Sequence, residues 1–135
     1  MLTLMNALSL GCLASTWGMA AARYRQLPEQ IPFHFALTGE PDMWAGRWTI
    51  FLAPFLQCPL TIVCVAMGEG AVRPSAVPTL PTVLLLLEVQ ALLAALCWRI
   101  TEIALGRAAV LAGFWAALAC LSVLLATCGL ALPPR

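Results

Sequence analysis

Charged residues are scarce in this sequence, and lysine is absent altogether. Of the 135 residues, 10% are charged and 62% are hydrophobic. A water-soluble domain normally carries far more charge on its surface. The seven basic residues are arginines scattered along the chain, and the formal net charge is +1, so there is no basic stripe to hold a nucleic-acid backbone. The composition therefore predicts a membrane protein and excludes nucleic acid as an expected partner.

Histidine and closely spaced cysteines are also scarce. The single histidine, His34, offers a metal ion one imidazole, which makes a site with Glu29, Glu40 or Asp42 the weaker alternative to a structural role. The chain has no Cys-x-x-Cys pair, no Gly-rich phosphate loop and no nucleophile beside a base. We therefore expect no enzymatic activity, no metal ion and no cofactor. The cysteines all fall in apolar stretches, where we expect them to act as packing residues: Cys12, Cys58, Cys64, Cys97, Cys120 and Cys128.

Long hydrophobic runs are what the sequence has in abundance. Four runs of about 20 residues or more are long enough to cross a bilayer as helices. They cover residues 2–22, 48–67, 81–105 and 108–132. The first run has no basic start and is long enough to span, so we expect it to be retained and not cleaved as a signal peptide. The sequence thus predicts a single domain, residues 1–135, that is all-α: a four-transmembrane-helix bundle with one ordered loop between helices 1 and 2.

The loop at residues 23–47 is the most polar part of the chain. It holds the only histidine, the only tyrosine and three of the six acidic residues. Prolines at 28 and 32, with a Gly39–Pro41 turn, should make it ordered. Its apolar residues are expected to dip into the membrane interface and roof the bundle: Leu27, Ile31, Phe33, Phe35 and Leu37.

Folding the spans up and down brings further polar residues to the loop-bearing end. We expect the loop acids and His34 to pair there with arginines, forming a latch or a partner-binding face. The candidate residues of this face are His34, Glu40, Asp42, Trp44, Arg47, Arg99 and Arg107.

Three polar residues well inside the predicted spans are candidates for a function. An acid such as Glu88 is costly within a bilayer and is a functional hypothesis by default. Gln90 lies next to Glu88 in the sequence. Gln57 lies at mid-depth between two prolines, and antiparallel packing is expected to bring it toward Glu88 in a small polar cluster. Such a cluster favours either a proton or ligand position, or a hydrogen-bonded contact that holds helices or subunits together.

The loop also carries a family likeness. Its pattern, LPxxIPxHFxxxGxxD, is filled by Leu27, Pro28, Ile31, Pro32, His34, Phe35, Gly39 and Asp42. The pattern resembles the small bacterial membrane domain of unknown function found at the start of SdpI-type bacteriocin-immunity proteins. The resemblance covers about the first half of the chain. The full immunity proteins have a further membrane region with a Gly-x-Arg-Thr-Pro-Trp-like segment that this sequence lacks.

The resemblance and the composition together give a functional expectation. We expect a non-enzymatic, multi-pass protein of the cell (inner) membrane that is an accessory subunit of a larger membrane complex or an immunity-like regulatory protein. Its expected partners are membrane lipids and other membrane subunits or a second copy of the chain. The alternative is a small proton-linked carrier that uses Glu88 and Gln57. Orientation stays open, because the arginine count puts the loop in the cytoplasm while the resemblance puts it outside.

Overall fold

The computed structural model describes residues 2–68 and 79–109. The described elements, in chain order, are helix α1 (Leu2–Arg23), strands β1 (Gln30–Phe35) and β2 (Pro41–Gly46), a 3-10 helix (Arg47–Phe51), helix α2 (Leu52–Gly68) and helix α3 (Thr79–Ala104). Each of the first three predicted spans is therefore helical. The fourth predicted span, residues 108–132, lies outside the described residues except for its first two positions.

Two of the described helical segments are long and apolar enough to cross a membrane. They are Arg47–Met67 and Val83–Ala104, with mean hydropathies of 2.1 and 1.9. Helix α1 has 22 residues but also carries polar ones, which lower its hydropathy. Two of these, Ser9 and Thr16, are buried against the neighbouring helices. Part of the lower hydropathy of α1 thus comes from polar side chains that are buried inside the bundle.

The prediction of an all-α protein needs correction, because the predicted loop contains a β-hairpin. Strands β1 and β2 pair antiparallel, from Gln30 opposite Gly46 to Phe35 opposite Pro41, with irregular register on both sides of His34. Proline normally argues against a strand because it lacks an N–H donor. In a two-stranded ribbon each strand has a free edge, so the prolines are tolerated.

The three helices pack as an up-down-up bundle. Helices α1 and α3 run parallel, since Ser9 near the start of α1 bonds to Gln90 and Arg23 at its end pairs with Glu102. Helix α2 packs against both in the opposite direction. Small side chains are fully buried where the helices approach, among them Ala20 of α1. The cysteines in the described part of the chain are free thiols, as expected for packing residues: Cys12, Cys58, Cys64 and Cys97.

The base of the hairpin closes one end of the bundle. Leu27 and Ile31 are almost fully buried in a cluster with Ala20, Ile50 and Cys97. Ala20 belongs to α1, Ile50 to the 3-10 helix and Cys97 to α3. The cluster therefore joins the base of the hairpin to these three elements. The expectation that the apolar loop residues roof the bundle holds for Leu27 and Ile31 but is wrong for Phe33 and Leu37, whose side chains are exposed.

The far end of β1 lies beside α3. Phe35 is buried against Ile103, and Leu96, Ile100 and Ala108 pack against this pair. Leu96 precedes Ile103 by about two helical turns. The hairpin therefore extends along the side of α3 and does not stand above its end.

Proline also shapes the start of α2. Pro54 has no N–H, so the carbonyl of Ile50 lacks its usual intrahelical donor. The thiol of Cys97 on α3 reaches that carbonyl, with 3.7 Å between Sγ and oxygen. A second proline, Pro59, lies inside α2. The freed Ile50 carbonyl thus becomes a contact between α2 and α3.

Candidate functional site

The hairpin holds its histidine and its aspartate together. His34 Nδ1 lies 2.7 Å from Asp42 Oδ1, and both side chains are largely exposed. An ionised carboxylate can only accept, so Nδ1–H of His34 donates the bond and Nε2 is left for another contact. The register of the flanking pairs places Asp42 opposite His34, so the two side chains meet even though the irregular pairing here makes Met43 the Cα partner of His34. The hairpin therefore presents a polar pair of fixed geometry.

The turn of the hairpin is built from backbone hydrogen bonds. Ala36 N–H donates to the carbonyl of Glu40 at 2.9 Å, and Gly39 N–H donates to the carbonyl of Ala36 at 2.8 Å. Gly39 has φ of 84°, a left-handed conformation that glycine adopts without strain. Glu40 follows it with an exposed side chain. Within residues 2–68 and 79–109, Glu40 forms no ion pair, so it is not part of the expected latch.

Two arginines near the hairpin contact groups other than the loop acids. Arg47 lies over the ring of Tyr24, with 5.0 Å between its guanidinium carbon and the ring centroid. Arg107 pairs with Glu102 at 3.4 Å. The predicted latch from the loop acids to Arg47 or Arg107 is therefore not formed among the described residues, where Asp42 pairs with His34.

Glu102 is the centre of the ion pairs at this end of the helices. Its Oε1 accepts from Arg23, which is mostly buried, and from the more exposed Arg107. Arg23 also lies over the ring of Trp98, 4.3 Å from the centroid. From sequence, Glu102 is expected to form only a local ion pair with Arg99, three residues earlier on the same helix. Its contact with Arg23 of α1 is seen only in the structure. Arg99 is half-buried on the same helix.

A buried polar layer crosses the middle of the three helices. Gln90 of α3 is at its centre: Ser9 Oγ of α1 lies 3.0 Å from its Oε1 and 2.9 Å from its Nε2, and Thr61 of α2 lies 3.4 Å from Oε1. Gln57 Nε2 donates a 2.8 Å bond to the main-chain carbonyl of Gln90. All four residues are almost completely buried. The two glutamines were selected from the sequence, whereas Ser9 and Thr61 were not. The available signal was that each is a small polar residue on a neighbouring helix at the depth of Gln90.

Glu88 is not part of this layer. It differs from Gln90 by about 200° around the axis of α3, so the two residues point to opposite sides of the helix. The expected cluster of Gln57 with Glu88 is therefore not formed. Glu88 Oε2 is nonetheless buried, and it has no hydrogen-bond partner among the described residues. The Oε1 atom of Gln57 is likewise buried without a hydrogen-bond partner among the described residues.

Trp44 completes the set of residues selected from the sequence. It lies on β2 opposite Pro32, and its side chain is more than half exposed. No group of three or more His, Cys, Asp or Glu residues that could hold a metal ion occurs in the part of the chain that the structure describes. The structure thus groups the selected residues into three separate sets: the hairpin surface, the ion pairs around Glu102, and the buried polar layer with Glu88 nearby.

Comparison with known proteins identifies one domain family. The family described as "Domain of unknown function (DUF1648)" matches residues 12–58. The matched segment begins within α1, contains the whole hairpin and ends within α2 just after Gln57. No curated protein and no solved structure shows a significant match to the chain. The similarity therefore covers the hairpin and leaves out Gln90, Glu88 and Glu102.

Proposed function

We propose that this chain is a non-enzymatic, multi-pass protein of the cell (inner) membrane that binds a partner through its hairpin. It acts as an accessory subunit of a larger membrane complex or as an immunity-like regulator. The membrane placement is supported by two helical segments long and apolar enough to cross a bilayer. A protein partner is expected in the same membrane, where other subunits can reach the hairpin-bearing end.

The observation that carries the proposal is the His34–Asp42 pair. The hairpin is held firmly by buried residues, yet it presents this polar pair to its surroundings. An exposed ion pair contributes little to stability, typically less than about 1 kcal/mol. A rigid support for a pair that does not stabilise the fold is typical of a recognition surface, because preorganised groups bind with less loss of entropy.

The test is isolation of the tagged full-length protein from its native membranes in mild detergent. Wild type is compared with Asp42→Ala and with Gln26→Ala, a control at an exposed polar position in the turn after α1. We expect wild type and the control to carry the same partner in a fixed ratio, and Asp42→Ala to lose it while remaining folded. Isolation of the wild type as a free monomer would contradict the proposal.

A second candidate function is proton-linked transport. It is favoured by Glu88, whose buried Oε2 lacks a partner among the residues that the structure describes. A carboxyl group inside a membrane protein is a common proton carrier. On this hypothesis Glu88→Gln abolishes function while the protein still inserts and folds, whereas Asp42→Ala has no effect. The accessory-subunit proposal predicts the reverse pattern, so one pair of variants separates the two.

A further inference from the structure

The hairpin and the 3-10 helix after it carry an unusually apolar outer surface, which we call the apolar rim. It consists of Phe33, Leu37, Met43, Trp44 and Trp48. Each of these side chains is at least half exposed, and Leu37 at the turn is 91% exposed. Other apolar residues of the same hairpin, such as Ile31 and Phe35, are buried against the helices. The exposed side chains of the rim therefore belong to a hairpin that is otherwise well packed against the helices.

The position of the hairpin gives the depth of this rim. Phe35 and Ile103 pack with Leu96 and Ile100, which belong to the apolar segment Val83–Ala104. Leu37 follows Phe35 by two residues. The turn of the hairpin consequently lies at the level of the last turns of α3, where an apolar segment of this length meets the headgroup region.

Tryptophans on the helices mark the same level. Trp98 lies on α3 between Leu96 and Ile100, with its side chain nearly half exposed. Trp17 on α1 contacts Phe51 at the end of the 3-10 helix, with 5.6 Å between ring centroids. Tryptophan is enriched where hydrocarbon meets headgroups, because its ring is apolar and its N–H is polar. Trp44 and Trp48 of the rim extend this belt onto the hairpin.

The backbone of the hairpin sets a limit on how deep it can lie. A two-stranded ribbon has unpaired N–H and C=O groups along its outer edges, and hydrocarbon offers these groups no partners. Water and headgroups do offer partners. The apolar side chains favour lipid, while the strand edges exclude the centre of the bilayer, so both conditions are met at the headgroup–acyl boundary.

We propose that the apolar rim binds the lipid bilayer, with the hairpin lying at the headgroup–acyl boundary beside α3. This inference rests on the membrane placement in the proposed function, but it needs no protein partner. The apolar rim binds the lipid of the same membrane that the helices cross. The apolar side chains of the hairpin then hold it non-covalently at a fixed depth in the bilayer.

The test uses tryptophan fluorescence of the full-length protein in lipid nanodiscs, which expose both membrane faces to added reagents. One variant keeps Trp44 and has phenylalanine at the other tryptophan positions, and a second adds Leu37→Trp to a tryptophan-free background. A matched control keeps Trp98 alone. Each is titrated with spin-labelled phospholipids, carrying the quencher at a shallow or a deep position, and with aqueous iodide.

We expect the shallow lipid quencher to act more strongly than the deep one on Trp44 and on tryptophan at position 37. Iodide quenching should be several times weaker than for a free tryptophan derivative in solution. Strong iodide quenching without lipid quenching, while Trp98 is quenched by lipid, would overturn the lipid-binding rim and leave the membrane placement intact. If Trp98 also escapes the lipid quenchers, the membrane placement fails together with this inference.

A second measurement covers the case in which the tryptophan-poor variants do not fold. The quenching of wild-type protein minus that of Trp44→Phe gives the contribution of Trp44 after one conservative substitution. Loss of shallow lipid quenching in Trp44→Phe supports the proposal. An unchanged lipid-quenched fraction, with iodide quenching reduced, contradicts it.

Discussion

Gln57 of α2 donates a hydrogen bond to the main-chain carbonyl of Gln90 on α3, with 2.8 Å between Nε2 and oxygen. The side chain of Gln90 in turn reaches Ser9 of α1. Gln90 therefore connects three helices, because its main-chain carbonyl contacts α2 and its side chain contacts α1. Buried polar contacts of this kind fix the relative depth of helices that are otherwise apolar all round.

The two glutamines should differ in their effect on stability. Gln90→Leu removes the contacts to Ser9 and Thr61 and leaves their hydroxyls buried with fewer partners, so we expect a loss of about 1–2 kcal/mol. Gln57→Leu is expected to cost less than about 1 kcal/mol, since the Gln90 carbonyl retains its helical bond and the unpartnered Oε1 of Gln57 is removed. Denaturant unfolding in mixed micelles measures both. Equal losses would contradict a central role for the Gln90 side chain.

The helical part of this fold was predictable because apolar runs of sufficient length have few alternatives in a membrane. The hairpin was not, since prolines at 32 and 41 obscure the strand pattern and its pairing depends on two edges remaining free. Proline-rich sequence alone predicts an ordered loop. The register that pairs these strands is visible only in three dimensions.

The candidate site was predictable in its location but not in its pairings. The loop was singled out from the sequence, yet Asp42 pairs there with His34 across the hairpin, and among the described residues it forms no ion pair with an arginine of the helices. Glu88 was expected to meet Gln57, but rotation about α3 separates the two. In each case the residue types and depth were available from sequence, whereas the direction of the side chain was not.

Loss of the buried phenylalanine should release the end of the hairpin. Phe35→Ala leaves a cavity against Ile103, and such substitutions cost about 3–5 kcal/mol when the site is well packed. Because the loss is local, amide hydrogen exchange in residues 30–46 should accelerate by about a hundredfold or more. Gln30→Ala, at the exposed first position of the same strand, is the control and should leave exchange nearly unchanged. Similar acceleration in both variants would contradict the packing of β1 on α3.

The two arginine partners of Glu102 should contribute unequally. Arg23 is mostly buried and also lies over Trp98, so Arg23→Gln removes a charge-assisted contact and is expected to cost about 1.5–3 kcal/mol. Arg107→Gln removes a longer and more exposed pair, for which we expect less than about 0.5 kcal/mol. Thermal unfolding at low and high salt distinguishes them, because salt screens exposed pairs more than buried ones. A larger loss of stability in Arg107→Gln than in Arg23→Gln would contradict this prediction.

The turn of the hairpin depends on one glycine. Gly39 has φ of 84°, so Gly39→Ala places a Cβ in the left-handed region and should destabilise the hairpin by about 1–2 kcal/mol. Gly11→Ala is the contrasting change: an added Cβ there has no described atom within 4 Å, and alanine favours the helix by up to about 1 kcal/mol. Hydrogen exchange of the amides in residues 36–40, which close the turn, reports the first effect, and overall unfolding reports the second. Faster exchange in Gly39→Ala with unchanged exchange in Gly11→Ala is the expected result, because strain at the turn acts on the hairpin alone. Unaltered exchange in Gly39→Ala would mean that the turn adopts another conformation.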